Sequence, residues 1–440
     1  MQRMIISILF IFTFTAGITS QQSELYTAIA QQAEEIEDQV IEWRRHLHQY
    51  PELSNREFKT AKYIESHLRT LGIEVYTGIA KTGVVGVLKT GNPGPVVALR
   101  ADMDALPVRE RVDIPFASKE EDYYLGQKVG VMHACGHDSH VAMLMGAATI
   151  LSSMKDRLQG TIVFVFQPAE EGAPPGEEGG AKLMVEEGII ERFGIDVFFG
   201  LHISSALETG KIMYKPLGMM AAADVFNIRV LGKQTHGSTP WTGIDPITVS
   251  AQIILGLQTI ISRQTELTKE AAVISVGKIT GGVRNNIIPE EVEMTGTIRT
   301  LDTVMQRMIH EKIVRTAEGI AQSAGAIAEV SIIKGYPVTF NSPELTVLVL
   351  PTLEFTAGEK NLIVTRPITG AEDFSFFANK VPSFFFFLGG RSPETSPLEA
   401  APHHTPDFFI DESGFGLGIR ALCNLAIDYT SGIHVKMDGQ

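Results

Sequence analysis

Short apolar runs along the chain alternate with stretches whose apolar positions recur at helical spacing. Glu34 to His48 and Phe58 to Leu71 carry the helical period, and Gly72 stops the second. Val96 to Arg100, Thr161 to Phe166, Asp196 to Leu201 and Ser383 to Leu388 are compact runs of strand length, rich in Val, Ile and Phe. Alternation of the two kinds predicts an α/β fold around a largely parallel sheet. Between Lys215 and about Ile333 the pattern changes. Asp224 to Val230 and Val292 to Arg299 alternate as half-buried strands, while Pro246 to Ile261 and Val304 to Ser323 read as amphipathic helices. The order strand–helix–strand–strand–helix–strand predicts a four-stranded sheet with two covering helices. The expected layout is a larger domain over residues 21–216 and 334–440 with a smaller α+β domain, 217–333, inserted into it. Gly281-Gly282 and Gly335 lie near candidate hinges or turns.

The first twenty residues read separately. Arg3 precedes the apolar stretch Met4 to Phe12, the small residues Ala16, Gly17 and Ser20 follow, and then polar Gln21-Gln22. That is a secretory signal pattern over residues 1–20, too short and wrongly flanked for a stable membrane span. A retained N-terminal anchor is the alternative, because the cleavage site is not a clean small-x-small pair. Cleavage would leave a secreted or periplasmic protein with no membrane insertion. The composition of the whole 440-residue chain, 44% hydrophobic, suits two folded domains. The net charge of −14 loses only Arg3 with the signal and becomes −15, which argues against nucleic acid or an anionic membrane as partner.

The densest chemistry is Met132-His133-Ala134-Cys135-Gly136-His137-Asp138, placed just before the apolar helix candidate Val141 to Ala148. Thiolate and imidazole are ligands for a borderline metal such as zinc. A Cys135–Cys423 disulfide is the competing explanation, although Cys423 sits in an apolar helical stripe and reads as a core residue. Open α/β sheets place ligands beyond the carboxyl ends of their strands. There the sequence puts Asp102 and Asp104, Glu170 and Glu171, His202, and His403-His404, one set after each apolar strand. Adjacent Glu170 and Glu171 repel unless a cation is near or one is protonated. A metal hydrolase needs one carboxylate on the metal and one free to accept a proton; a solvated acidic turn is the other reading.

In combination these residues resemble the metal-dependent amidohydrolases and aminoacylases of the M20 peptidase clan, above all the hippurate, N-acyl-amino-acid and auxin-conjugate hydrolases. The matching blocks run from Arg44-Arg45-His46-Leu47-His48 and Leu99 to Pro107 through the Cys135 motif and Gln167 to Gly172. They continue through Gly200-Leu201-His202 and Asn286 to Pro289 to Gly370-Ala371-Glu372-Asp373-Phe374. The resemblance implies a zinc-peptidase-like catalytic domain and an inserted lid or dimerisation domain. It implies two divalent metal ions (Zn, Mn, Co or Ni) on Cys135, His137, Glu171, His202 and His404, with His403 competing for the last place. Glu170 would be the general base and Asp104 would orient a metal-ligating imidazole. Asp102 stands where relatives outside the subgroup carry a histidine, so their metal does not carry over. His236 would reach a neighbouring subunit's site in a homodimer or higher homo-oligomer; without the family it is a loop histidine. Asn286 and Arg299 would bind the substrate carboxylate, or merely stabilise a turn and a strand.

The implied reaction is hydrolysis of an N-acyl amino acid to a carboxylic acid and an amino acid. A carboxypeptidase or dipeptidase acting on short peptides keeps the same chemistry, and a non-catalytic binding protein on this scaffold is the reading from another class.

Overall fold

The computed structural model describes residues 20–432; the expected signal segment, residues 1–20, lies outside the described residues except for Ser20. The central sheet has eight strands in the order Glu74–Ile79, Gly83–Lys89, Thr161–Gln167, Val96–Asp102, Val197–Glu208, Ser383–Arg391, Ile212–Tyr214 and Leu362–Val364. The middle four are the apolar runs seen in the sequence, and they lie side by side and parallel. Antiparallel pairs flank them. Strands this apolar need cover on both faces. On one face lie the helices Ser20–Glu35, Glu37–Gln49, Phe58–Thr70, His137–Ser153, Pro343–Ala357 and Phe415–Thr430, packed into one large core. The short helices Gly180–Glu186, Ile189–Phe193 and Ser375–Ala378 cover the other. Parallel direction then brings the carboxyl ends of the four central strands to one edge.

The helix His137–Ser153 is apolar nearly all round and buried along most of its length, as a helix wedged between sheet and outer helices must be. It starts immediately after Gly136, whose φ of 94° and whose closeness to Ile203 (a Cβ would meet Cγ2 at 2.5 Å) both require glycine. Cys423 is fully buried, and both it and Cys135 are free thiols, so no disulfide joins them.

Two boundaries differ from the sequence reading. The periodicity from Glu34 to His48 spans a break at Ile36 between two helices. The strand expected to stop at Leu201 continues to Glu208, so His202 lies within it rather than beyond it. The extension is held by pairing with the neighbouring strand as far as Arg391 opposite Glu208.

A second sheet is built by Ala272–Gly281, Glu291–Thr300, Ala222–Leu231 and Ile327–Tyr336, in that spatial order and antiparallel throughout. The helices Pro246–Gln264 and Thr303–Ser323 cover one face, and their N-termini are capped by Asp245 and Asp302. The last strand runs three residues past position 333. Leu217–Met220 pairs instead with Thr339–Asn341, where the chain enters and leaves this sheet. Gly335 lies inside the last strand. Among the described residues no helix is long and apolar enough to cross a membrane.

Gly200 sits in the middle of the central strand that carries His202. A Cβ there would stand 2.8 Å from Phe374 Cε2 and 3.0 Å from Phe385 Cδ2, both fully buried rings. Gly200→Ala therefore overpacks this layer and is expected to cost about 1–3 kcal/mol, read as a lower denaturant midpoint with an unchanged m-value.

Candidate metal centre

Five donor side chains from four chain segments meet at the carboxyl edge of the central strands. The turn at Gly136 sets Cys135 and His137 side by side. His137 Nδ1 faces the Asp104 backbone oxygen at 2.9 Å and Asp104 Oδ1 at 3.2 Å. That turns Nε2 toward Glu170 Oε2 and Glu171 Oε1, each 3.9 Å away. Cys135 Sγ is 3.3 Å from His202 Nε2 and 3.3 Å from His404 Nε2. His404 Nε2 in turn lies 3.0 Å from Glu171 Oε1. His137, Glu171, His404, Cys135 and His202 thus form an unbroken chain of donor atoms.

Their aim is fixed from behind. Asp104 holds His137 and also accepts the backbone N–H groups of Glu170 and Glu171, each at 3.1 Å, and the Ser54 hydroxyl at 2.7 Å. Ala169, just before the glutamates, has a φ of 51° that an alanine rarely adopts. Buried Glu57 secures it by accepting the Ala169 N–H at 2.9 Å and the Thr82 hydroxyl at 2.6 Å. Tyr336, at the end of the second sheet, donates to the Glu170 backbone oxygen at 2.7 Å. His202 Nδ1 donates to the Ile203 carbonyl at 2.6 Å, which leaves Nε2 free to face Cys135. Of the competing pair, His404 has its Nε2 between Cys135 and Glu171, whereas His403 spends its Nε2 accepting the Ser205 N–H at 3.2 Å. His403 still stands close to Cys135 and His202.

Beneath this layer lies a fully buried charge network that includes groups the sequence reading passed over. Arg100 donates to Asp102 at 2.6 Å, to Glu372 at 2.8 Å, to Asp373 at 3.1 Å and to Gln167 at 2.8 Å. His140 Nδ1 donates to Asp102 Oδ1 at 2.5 Å, and its Nε2 accepts the Ile203 N–H at 2.8 Å. Arg100 was hidden in an apolar strand and His140 in an apolar helix. A charged residue inside a run that must be buried was the available signal.

The electrostatics of the cluster call for a cation. Burial pushes Glu170 well above the usual carboxylate range, and Glu372, Glu171 and Asp373 push it further. Burial, with Glu171 and Glu170 beside it, likewise raises the Cys135 thiol. Burial alone would lower His137, yet Asp102 and Asp104 lift it to about 10. Among the described residues His137 Nε2 is buried without any hydrogen-bond partner. Orphaned buried atoms of this kind need an explanation, and a thiol, imidazoles and a carboxylate facing one another fit a borderline divalent metal.

The remaining candidates lie elsewhere. His236 is exposed, and its ring bonds only to Ser238 in the described residues. It pairs with Ile287 in a two-stranded ladder, and the Gly237 N–H donates to the Asn286 carbonyl at 2.8 Å, so His236 and Asn286 are neighbours. Arg299 lies on the second sheet and donates to Thr297 and the Ile298 carbonyl. Among the described residues no hydrogen bond or ion pair joins any of the three to the five-donor cluster.

Arg100→Met would remove the guanidinium that Asp102, Glu372 and Asp373 share. The expected loss is about 3–5 kcal/mol in denaturant unfolding at neutral pH. Burial raises Asp373 and Glu372 in the folded state. Folding then takes up protons, so the deficit should narrow as pH falls and widen as it rises; a pH-independent deficit would contradict this account.

Residues 98–428 match the family described as Peptidase family M20/M25/M40. Over 410 residues the chain is 42% identical to thermostable carboxypeptidase 1 of Saccharolobus solfataricus, covering 93% of this chain and all of that protein. Over 313 residues it is 44% identical to the N-acyl-L-amino acid amidohydrolase of Geobacillus stearothermophilus, covering 71% and 80%. The solved structure of Bacillus subtilis YXEP protein, titled a dinuclear metal binding peptidase from the M20 family, superposes with a TM-score of 0.76. It is 34% identical and covers 90% of this chain and 99% of that one. The chain belongs to peptidase family M20 and is a hydrolase of that family.

Proposed function

We propose that this protein hydrolyses the amide bond of N-acyl amino acids, with Cys135, His137, Glu171, His202 and His404 holding two divalent metal ions and Glu170 as general base. The observation that carries the reading is the pairing of the five converging donors with a second carboxylate, Glu170, beside but not within their chain. Zinc, manganese, cobalt and nickel all suit such a donor set. When bound, the ions polarise the scissile carbonyl and lower the pKa of a water to roughly 7.

The protein's own groups do the rest. Glu170 takes the proton of the attacking water and passes it to the leaving amine. Its proton affinity, raised by burial and by Glu372, Glu171 and Asp373, suits a group that must hold that proton between the two transfers. Asp104 keeps His137 facing the site and holds both glutamate amides, so base and donor keep a fixed spacing. The oxyanion needs a further donor. His236, remote from the cluster in its own chain, would supply it to a neighbouring subunit in a homodimer or larger assembly. Asn286 sits in the turn just before the strand that pairs with His236 and would bind the substrate carboxylate together with Arg299. The inserted unit, about residues 217–333, would act as lid and dimer contact, with Tyr336 linking it to the Glu170 turn. A cleaved signal would make the enzyme secreted or periplasmic.

Cleavage of short peptides as a carboxypeptidase or dipeptidase is the second reading, favoured by the name of the Saccharolobus relative. Side-by-side kcat/KM values for N-benzoylglycine-type substrates and dipeptides separate the two, and faster dipeptide cleavage would sink the first. Glu170→Gln is expected to lower kcat by about a thousandfold while metal content stays at the wild-type level. Near-normal turnover in that variant would mean another group is the base. A chelator should abolish activity and divalent metal restore it.

A further inference from the structure

Next to Glu171 the surface opens into a cavity of about 280 Å³ that the hydrolytic chemistry leaves unused. Its apolar walls are Leu53, Ala105, Leu106, Pro107, Tyr124 and Leu125, with Arg56 and Ser54 at the edge. Floor and metal centre are made from the same backbone. Leu53 bridges to Ala105, the residue after Asp104, and Leu106 bridges to Met132, three residues before Cys135. Ser54, beside Leu53, donates its hydroxyl to Asp104. A group seated in the cavity is therefore held in fixed register with the donors.

The outer wall is a hairpin, Glu121–Tyr124 and Gln127–Gly130, joined by the two-residue turn Leu125-Gly126. Both turn residues have positive φ, 51° and 77°. Such a turn favours Asn-Gly, and a leucine in its first place is strained. The leucine is also 68% exposed, as Tyr123 beside it is at 70%, so neither is there to fill a core. Tyr124 packs onto the small cluster of Leu53, Ala105 and Val131, which anchors the hairpin to the floor. A strained, exposed apolar tip next to reactive groups is the kind of feature that function maintains.

We propose that this cavity binds the acyl group of the substrate, and that the preferred group is aromatic or a medium-length aliphatic chain; the proposal rests on the amidohydrolase reading above. The amino-acid half of such a substrate carries a carboxylate and would need a free cation. Among the described residues that line it, Arg56 is the one cation, and Glu177 already engages it through contacts of 2.6 and 3.2 Å. An uncharged acyl group meets no such requirement. Size agrees, since an apolar cavity of about 150 Å³ holds benzene, so this one has room for a ring and the link to the scissile carbonyl. The amino-acid half is then left facing the second sheet.

The test uses full-length enzyme with its metal and the double variant Leu125→Asn, Tyr123→Ser. Both positions are exposed, and asparagine accepts the left-handed turn conformation. Two substrate series are measured, one varying the acyl group from acetyl to hexanoyl and benzoyl on a single amino acid, the other varying the amino acid under a benzoyl group. The expected result is a drop of roughly tenfold in the benzoyl-to-acetyl ratio of kcat/KM, the scale on which a hydrophobic pocket discriminates. Preference in the amino-acid series should not move. A benzoyl-to-acetyl ratio within about twofold of wild type, the range of neutral surface changes, would overturn the assignment. A shift confined to the amino-acid series would overturn it too and give the cavity to the other half of the substrate. Cleavage of dipeptides with no hydrolysis in either series would instead remove the amidohydrolase reading, and this proposal with it.

Discussion

The folded state has to keep a group of carboxylates in a dry interior, and everything else at the active edge is arranged around that constraint. Asp102, Asp104, Glu170, Glu372 and Asp373 are all 6% exposed or less. Burying charge without compensation is among the costliest things a protein can do. Arg100, fully buried among them, supplies one permanent cation and four hydrogen bonds. Burial would raise Asp102, but Arg100, His137 and His140 hold it well below the carboxylate range. Arg100 also draws Glu170 down, but burial and the neighbouring Glu372, Glu171 and Asp373 outweigh it, and its proton affinity stays high. One charge network thus keeps one acid ionised while another holds a high proton affinity, the division on which the proposed hydrolysis relies.

The sheet makes this arrangement possible. Four parallel strands, each covered on both faces, end along one edge, and residues far apart in sequence arrive there with little freedom. Backbone strain is concentrated at the same edge, with left-handed conformations at Ala169 and His404. Each is tied in place, Ala169 by Glu57 and His404 by the Ala134 carbonyl at 2.8 Å. The core on both sides determines the strain locally, and the donor side chains inherit fixed directions.

Much of this could be read from the chain. The four apolar strands and the chemistry that follows them were legible because burial on both faces leaves an unmistakable composition. The Cys135-Gly136-His137 corner was legible because its residue types crowd into one turn. Where the reading fell short, a local pattern had been overridden. The strand through His202 runs on because its neighbour pairs with it to Glu208. The break at Ile36 leaves the apolar period intact and so leaves no trace in it. Arg100, His140 and Glu57 sit alone in segments that otherwise read as core or as a helix start, and a lone charge does not announce its partners. The hairpin at Tyr123 and Tyr124 is too short to show a period.

By itself, then, the sequence determined which segments are buried, which way the chain alternates, and which residue types could bind metal and move protons. Those follow from short-range chemistry and from the period of each element. Only the tertiary structure decided which donors meet, that His404 rather than His403 turns its Nε2 toward Cys135 and Glu171, and that His236 and Asn286 are neighbours on a small ladder and the turn before it. It also decided that one arginine would balance the buried acids and that a strained hairpin would wall a cavity beside Glu171. These depend on distances between segments tens to hundreds of residues apart, which packing sets and local pattern does not encode.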